Sequence, residues 1–215
     1  MVAGSRAPGV GNGVPPTYRA PVAPARLRLA LCSTALAAAT LALGLGAPRL
    51  AAADQRDARL GPLFAQLHDA GSPEQADLIA RDIWDLWNSA GDEETDRLMR
   101  VGSGALKRGE LGVALETFSE IVKRSPGFAE GWNKRATAYY ELGDYEASMR
   151  DVKVVLELEP RHFAALSGMG LMYSDLDAEA PALRWFERAL EVHPHLLGIR
   201  ERVAMLHKRL DDGGI

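Results

Sequence analysis

Cysteine is nearly absent from this 215-residue sequence, which contains only Cys32. That residue lies within an apolar segment, residues 29–47, and every residue after this segment lacks a thiol. Disulfide bonds and a cysteine nucleophile are therefore excluded for residues 54–215. A fold made by these residues must be stabilised by packing.

Acidic residues are missing from the first 53 positions, because all 29 of them follow Ala53. Five of the 25 Lys and Arg residues precede that point, so residues 54–215 carry a formal net charge of −9. Nucleic acids and anionic membranes bind basic surfaces, so this charge disfavours both as main partners. It leaves a basic or apolar partner open.

Recognisable catalytic motifs and metal-ligand sets are missing as well. The stretch GSGALKRGEL, residues 102–111, has the glycines of a phosphate loop but lacks its lysine, and DLDAEA, residues 175–180, lacks the turn glycine of a calcium loop. His193 and His195 form a pair without a third ligand. We therefore expect no enzyme activity, no cofactor and no metal.

The apolar segment has the layout of a secretory signal peptide. Arg26 and Arg28 precede it, and the small residues Ala51 and Ala53 follow it at the spacing that signal cleavage requires. We predict that residues 1–53 are a disordered n-region plus a signal peptide cleaved near Ala53, which places the mature chain in the periplasm or outside the cell. The alternative is an uncleaved anchor in the inner membrane, because the 19 apolar residues could just span a bilayer.

A period of 34 residues organises the chain after this segment, and it is marked by Pro126, Pro160 and Pro194. Large apolar and small residues recur between these prolines at matching positions. The matching sets are Leu98, Trp132 and Leu166; Gly102, Ala136 and Gly170; Ala105, Tyr139 and Tyr173; Ala114, Ser148 and Ala182; Phe118, Val152 and Phe186; and Ile121, Val155 and Ala189. A fixed period of this length indicates a stacked repeat protein.

Each period contains two apolar stripes of helical spacing, separated by Gly109 or Gly143 in the first two periods. A glycine between two stripes predicts a short turn that reverses the chain. Each unit is then a pair of antiparallel helices that cannot bury both stripes alone, so neighbouring units must stack.

The stretch GWNKRATAYYELGDYEASMRDVKVVLELEP, residues 131–160, resembles the tetratricopeptide repeat (TPR). The resemblance implies an all-α fold, a right-handed α-solenoid of stacked antiparallel helix pairs, with three units in residues 95–196. The units are 95–128, 129–162 and 163–196. Arg135 departs from the pattern because a leucine is usual there, and Asp177 departs from it because it replaces the turn glycine of the third unit. The whole chain is similar to small exported repeat proteins of Gram-negative bacteria.

The same frame extends in both directions. Projected back, it places Ala80, Trp84 and Trp87 on packing positions of a degenerate helical hairpin within residues 54–94. Projected forward, it meets a narrow apolar stripe that predicts a capping helix in residues 197–215. The stripe consists of Leu196, Ile199, Val203, Leu206 and Leu210.

Stacked hairpins present their first helices along a concave groove, which binds an extended peptide or a helix of a partner. The residues that the resemblance and their neighbourhood assign to this groove are Met99, Ser103, Asn133, Lys134, Arg135, Thr137, Tyr140, Ser167 and Leu171. Arg135 has two interpretations, an ion pair with Glu116 or Asp151, or a contact with an acidic or carbonyl group of the partner. Members of the family that bind chaperone tails hold a terminal carboxylate in a clamp of Lys, Asn and Arg. Only Lys134 remains of its cations here, so an acidic C-terminal tail is not the expected ligand.

We therefore predict a non-catalytic adaptor in the bacterial cell envelope, monomeric, that binds a protein or peptide partner in its groove. Nucleic acid is not expected as a partner, and a membrane is expected only if the signal is an uncleaved anchor. Two alternatives stay open, a structural subunit of a membrane-associated or self-associating assembly and an enzyme with an unrecognised site.

Overall fold

The computed structural model describes residues 54–212, and within them it contains nine α-helices and no strand. Residues 1–53 and 213–215 lie outside the described part, and so do the predicted signal peptide and its cleavage point after Ala53. The helices are α1 (Leu60–His68), α2 (Pro73–Trp87), α3 (Glu93–Lys107), α4 (Leu111–Arg124), α5 (Ala129–Glu141), α6 (Tyr145–Leu158), α7 (Phe163–Asp175), α8 (Glu179–Val192) and α9 (Leu197–Asp212).

Three helix pairs, α3–α4, α5–α6 and α7–α8, follow one another in the predicted order, and each helix packs against the next one in the chain. The predicted all-α solenoid is thereby confirmed. Helix α9 packs on α8 through buried Leu206 and half-buried Ile199 and Val203. Leu210, which belongs to the same predicted stripe, is 37% exposed and is not part of this apolar cluster.

The first and second helices of a unit approach closely where a glycine of one faces a phenylalanine of the other. A Cβ atom added to Gly102 would lie 2.6 Å from the Phe118 ring, and one added to Gly170 would lie 2.4 Å from the Phe186 ring. The second unit has Ala136 at the glycine position and the smaller Val152 at the phenylalanine position, and both are buried in one cluster. The paired volumes therefore compensate from unit to unit, as close packing requires.

All three turns inside the units have the same backbone geometry. Gly109 and Gly143 have φ angles of 73° and 78°, and Asp177, at the matching place, has φ of 54°. In every unit the residue after this position donates its N–H to a carbonyl five residues earlier, which closes the helix end as in a Schellman motif. Asp177 thus adopts a left-handed conformation that an aspartate tolerates better than most side chains.

The N-terminal helices form a hairpin, but its packing differs from the extrapolated repeat frame. Helix α2 begins after Ser72, whose side chain accepts from the N–H of Gln75, and Gln75 in turn accepts from the N–H of Gly71. It does not stack on α3, however. The buried face of the hairpin instead packs against Phe163, Val192 and Leu196, which belong to the third unit and the segment before α9.

This N-terminal hairpin, together with residues 54–59, touches both loops that join one unit to the next and the loop that joins the third unit to α9. Gln55 donates to the carbonyl of Gly127 in the first loop. The ring of Trp87 stacks on that of His162 in the second, with centroids 4.2 Å apart and planes at 5°. His195 donates from Nε2 to the carbonyl of Ala70 over 2.8 Å in the third.

We predict that Gly170→Ala lowers the free energy of unfolding by about 1–3 kcal/mol, because the added methyl overlaps the Phe186 ring. Gly168→Ala on the same helix is the matched control. Its added Cβ meets nothing within 4 Å, so the better helix propensity of alanine should leave the fold equal or more stable.

Phe186→Val added to Gly170→Ala recreates the pair of the second unit and should recover part of the loss. Urea unfolding of the parent protein and the three variants measures the free energies that check this. Equal stability of the two alanine variants would show that the close approach does not limit the fold.

Candidate partner-binding groove

A cavity of about 620 Å³ opens between the first helices of the second and third units, α5 and α7, and the start of α9. Six of the nine predicted groove residues line it, namely Asn133, Lys134, Thr137, Tyr140, Ser167 and Leu171. Apolar side chains complete the wall, and they include Trp84, Phe163, Met172, Leu196 and Ile199. Trp84 comes from α2, so the N-terminal hairpin closes one side of the cavity. We call this space the central cavity.

The other three predicted residues lie elsewhere. Met99 and Ser103 line a second cavity of about 460 Å³ between α3 and the end of α2, and its further lining residues include the charged Asp85 and Arg100. Arg135 lies in neither cavity, because its guanidinium donates two bonds of 2.7 and 2.8 Å to the carboxylate of Asp151 on α6.

The Arg135–Asp151 pair is the intramolecular alternative that the sequence left open. The two side chains have exposed fractions of 17% and 6%, and the guanidinium also lies over the rings of Trp132 and Tyr139 at 4.9 and 5.8 Å. The arginine therefore bridges the two helices of its own unit. It presents no free donor to the central cavity.

Polar side chains around the central cavity donate to the protein itself. Thr137 donates from Oγ1 to the carbonyl of Asn133 over 3.0 Å, and Ser167 donates from Oγ to the carbonyl of Phe163 over 2.8 Å. The Asn133 amide donates to Glu130 over 2.9 Å. Each of these bonds joins a side chain to the residue three or four positions earlier in the same helix. Such bonds are local, so they can form wherever these residue types lie on a helix.

Tyr140 at the rim donates from its hydroxyl to Asp175 of α7 over 2.7 Å, and Tyr145 donates to the same carboxylate over 3.3 Å. The hydrogen bond to Asp175, with burial and the negative charge beside it, raises the pKa of Tyr140 to about 12. The phenol thus stays protonated at any physiological pH. It joins the second unit to the third as a donor rather than acting as a base.

A buried ionic cluster beneath Trp84 was not predicted from the sequence. Glu130 is fully enclosed, and its carboxylate lies 3.1 Å from His162 Nε2 and 3.0 Å from Lys134 Nζ. Burial alone would raise the pKa of Glu130, but the hydrogen bond from His162 and the charge of Lys134 hold it below its ordinary value. One signal was available, since the repeat mates of His162 are the apolar residues Phe128 and Leu196.

His193 and His195, the pair considered as metal ligands, each contact another part of the chain. His195 bonds the carbonyl of Ala70 in the N-terminal hairpin. The His193 ring packs edge-on against Phe163 with centroids 5.2 Å apart, and its burial lowers its pKa. Within residues 54–212 no group of three or more potential ligand side chains is close enough to hold a metal ion. None of the helices in the described part of the chain is long and apolar enough to cross a membrane.

Comparison with known proteins identifies relatives by sequence, although no family model matches the chain. A TPR repeat-containing protein of Rhizobium etli is 37% identical over 152 residues, which are 71% of this chain and 74% of that protein. The heat-shock protein cognate co-chaperone sgt12 of Aspergillus fumigatus is 26% identical over 98 residues. These residues are 46% of this chain and 29% of the co-chaperone.

Solved TPR domains share the fold. The Sgt2 TPR domain of Aspergillus fumigatus superposes with a TM-score of 0.52 at 20% identity, covering 57% of this chain and 82% of that one. The first TPR of Spaghetti, bound to the HSP90 peptide SRMEEVD, superposes with a TM-score of 0.53 at 21% identity. It covers 56% of this chain and 96% of its own.

We predict that Arg135→Met lowers the free energy of unfolding by about 3 kcal/mol, because it leaves the Asp151 carboxylate buried without its cation. Asp151→Leu added to it removes the unpaired charge and should recover most of the loss. Arg150→Met is the matched control, since Arg150 pairs with Glu146 at the exposed surface and should contribute less than about 1 kcal/mol.

Chemical denaturation measures all three variants. A single Arg135→Met variant that is as stable as the Arg150→Met control would contradict the interpretation that this ion pair holds α5 to α6.

Proposed function

The chain belongs to the tetratricopeptide repeat proteins, and from that premise we propose that it is a non-catalytic adaptor in the bacterial cell envelope. It binds a peptide or helix of a protein partner at the central cavity. One observation carries the proposal, namely that six residues assigned to the groove from the sequence surround one cavity of about 620 Å³. A cavity of this size, mostly apolar with a few polar groups, suits the side chains of a protein ligand.

The names of the relatives support a role in protein–protein interaction, but they do not identify the partner of this chain. The fungal relative is named as a co-chaperone of a heat-shock protein cognate, and the first TPR of Spaghetti is bound to an HSP90 peptide. This chain spans 29% of the fungal co-chaperone's length, so that protein's partners are not transferred. The one cation that remains of the tail-binding clamp, Lys134, already pairs with Glu130. The partner therefore differs from an acidic chaperone tail.

The envelope location rests on the sequence before Asp54, where basic residues, an apolar run and two small residues succeed one another. We expect N-terminal sequencing of the protein from its producing cell to begin at Asp54 or within a few residues of it. A full-length chain recovered from the membrane fraction would instead establish an uncleaved anchor.

The binding role predicts where a partner becomes cross-linked in the producing cell. We expect a photoreactive amino acid at Glu141 or Ser167, which line the central cavity, to give one adduct larger than the chain. The same group at Lys153 or Glu157, exposed on α6, is the matched control and should give none. Electrophoresis and mass spectrometry of the adducts check this.

Adducts only from Lys153 or Glu157 would place the partner on the exposed face of α6, outside the cavity, and overturn the proposal. An adduct of twice the chain's mass from the cavity positions would identify a second copy of the chain and favour a self-associating subunit.

A further inference from the structure

The hydroxyl donors around the central cavity are already engaged. Thr137, Ser167 and Tyr140 each donate their hydroxyl proton to a protein acceptor within 2.7–3.0 Å. Asn133 donates one of its two amide N–H groups to the buried Glu130, and Lys134 forms an ion pair with the same carboxylate. An extended peptide needs partners for its main-chain groups when it enters a groove, and unpaired groups weaken binding. This cavity therefore offers few donors to the main-chain carbonyls of an extended chain, namely those that remain on Asn133 and Lys134.

A helix has no such need, because its backbone groups bond to one another. It presents only side chains, and the central cavity offers an apolar wall of Phe163, Leu171, Met172 and Ile199. A helix already lies beside the cavity, since α2 packs at its edge and contributes Trp84. The Trp84 ring contacts those of Trp87 and Phe163 at centroid distances of 5.3 and 5.6 Å. The cavity thus continues an existing helix-binding surface.

Charges at the rim indicate what flanks the apolar side chains. Glu141 lines the cavity and is exposed, and Asp175 is exposed beside it as the acceptor of Tyr140. Lys134 is compensated by Glu130, and Arg202 of α9 acts on Tyr140 more weakly than Asp175 does. The whole of residues 54–215 carries a net charge of −9. A basic flank on the ligand complements this rim.

We propose that the central cavity receives the apolar face of an amphipathic helix from a protein partner, with Lys or Arg on that helix beside Glu141 and Asp175. This inference rests on the adaptor role and narrows it to one ligand conformation and one sign of charge. The charge of this ligand is opposite to that of the acidic peptide SRMEEVD bound by the Spaghetti domain.

Gly168 of α7 provides a position from which an added side chain enters the cavity. It lines the cavity, and a Cβ added to it meets nothing within 4 Å. Gly168→Leu should therefore occupy the space meant for the ligand's side chain. Gly112→Leu near the start of α4 is the matched control, because Gly112 is also open to a Cβ and lies outside the cavity. Thermal unfolding of both variants verifies that they fold.

The probe is a fluorescent 14-residue peptide with leucines along one helical face and lysines elsewhere, titrated with the full chain and followed by anisotropy. We expect binding that weakens by about tenfold or more with Gly168→Leu, equivalent to about 1.4 kcal/mol, and is unchanged with Gly112→Leu. Glu141→Gln should weaken binding a few-fold, and Glu157→Gln, a charge-matched change on the exposed face of α6, should not.

Three further probes decide between occupants. Equal binding of a version interrupted by two prolines would overturn the helical conformation, and equal binding of a version with Glu in place of Lys would overturn the charge. Binding of dodecanoate that is lost in Gly168→Leu, with no peptide binding, would assign the cavity to an acyl chain.

The peptide titration tests the helical ligand, and the cross-linking experiment tests the adaptor role, so the two proposals can fail separately. If no peptide binds while cross-linking at Glu141 still captures a partner protein, the helical inference is wrong and the adaptor role stands. If cross-linking at the cavity also fails, the adaptor role itself is wrong.

Discussion

Absence of a side chain at Gly102 and Gly170 is the constraint on which the solenoid depends. Each glycine admits an aromatic ring of the second helix into the space where its own Cβ would be, at 2.6 and 2.4 Å. The first helix is thereby drawn onto the second, and Ser148 reinforces the same approach in the middle unit by donating to the carbonyl of Ala136 over 2.8 Å. Units built this way share one shape, so they stack with α5 beside α7. The central cavity lies between those two first helices.

The repeat period was visible in the sequence because packing volumes recur in it. In each unit a small residue of the first helix faces a larger apolar residue of the second, and each pair fills the space where the two helices cross. The pairs are glycine with phenylalanine in the first and third units and alanine with valine in the second, and they keep a fixed spacing in the sequence. Asp177 was the weakest match, yet its turn forms, because aspartate accepts the left-handed conformation at modest cost. The ion pair of Arg135 was also predictable in part. Asp151 was one of the two acidic residues named as its possible partners, both on helices that pack against α5.

Placement of the N-terminal hairpin could not be predicted in the same way. Trp84 and Trp87 were expected to pack, and Trp87 is buried with Trp84 half-buried. Their neighbours include His162, at the end of the second unit, and Phe163, at the start of the third. His162 lies 75 residues after Trp87, and no period relates the two. This displacement also explains why the predicted groove divides. The end of α2 lies near α3, so Met99 and Ser103 border a separate cavity with Asp85.

Docking of the hairpin and the shape of the central cavity depend on the same few side chains. Trp84 and Trp87 are three residues apart and so share a face of α2. Trp87 covers His162, which donates a hydrogen bond to Glu130. Lys134 forms an ion pair with the same carboxylate, and its ammonium lies 5.6 Å from the Trp84 ring centroid. Withdrawal of the hairpin would remove one wall of the cavity and expose a buried carboxylate at once. A helix that packs on Trp84 therefore stabilises the docked hairpin, and by linkage the docked hairpin must strengthen the binding of that helix by the same free energy.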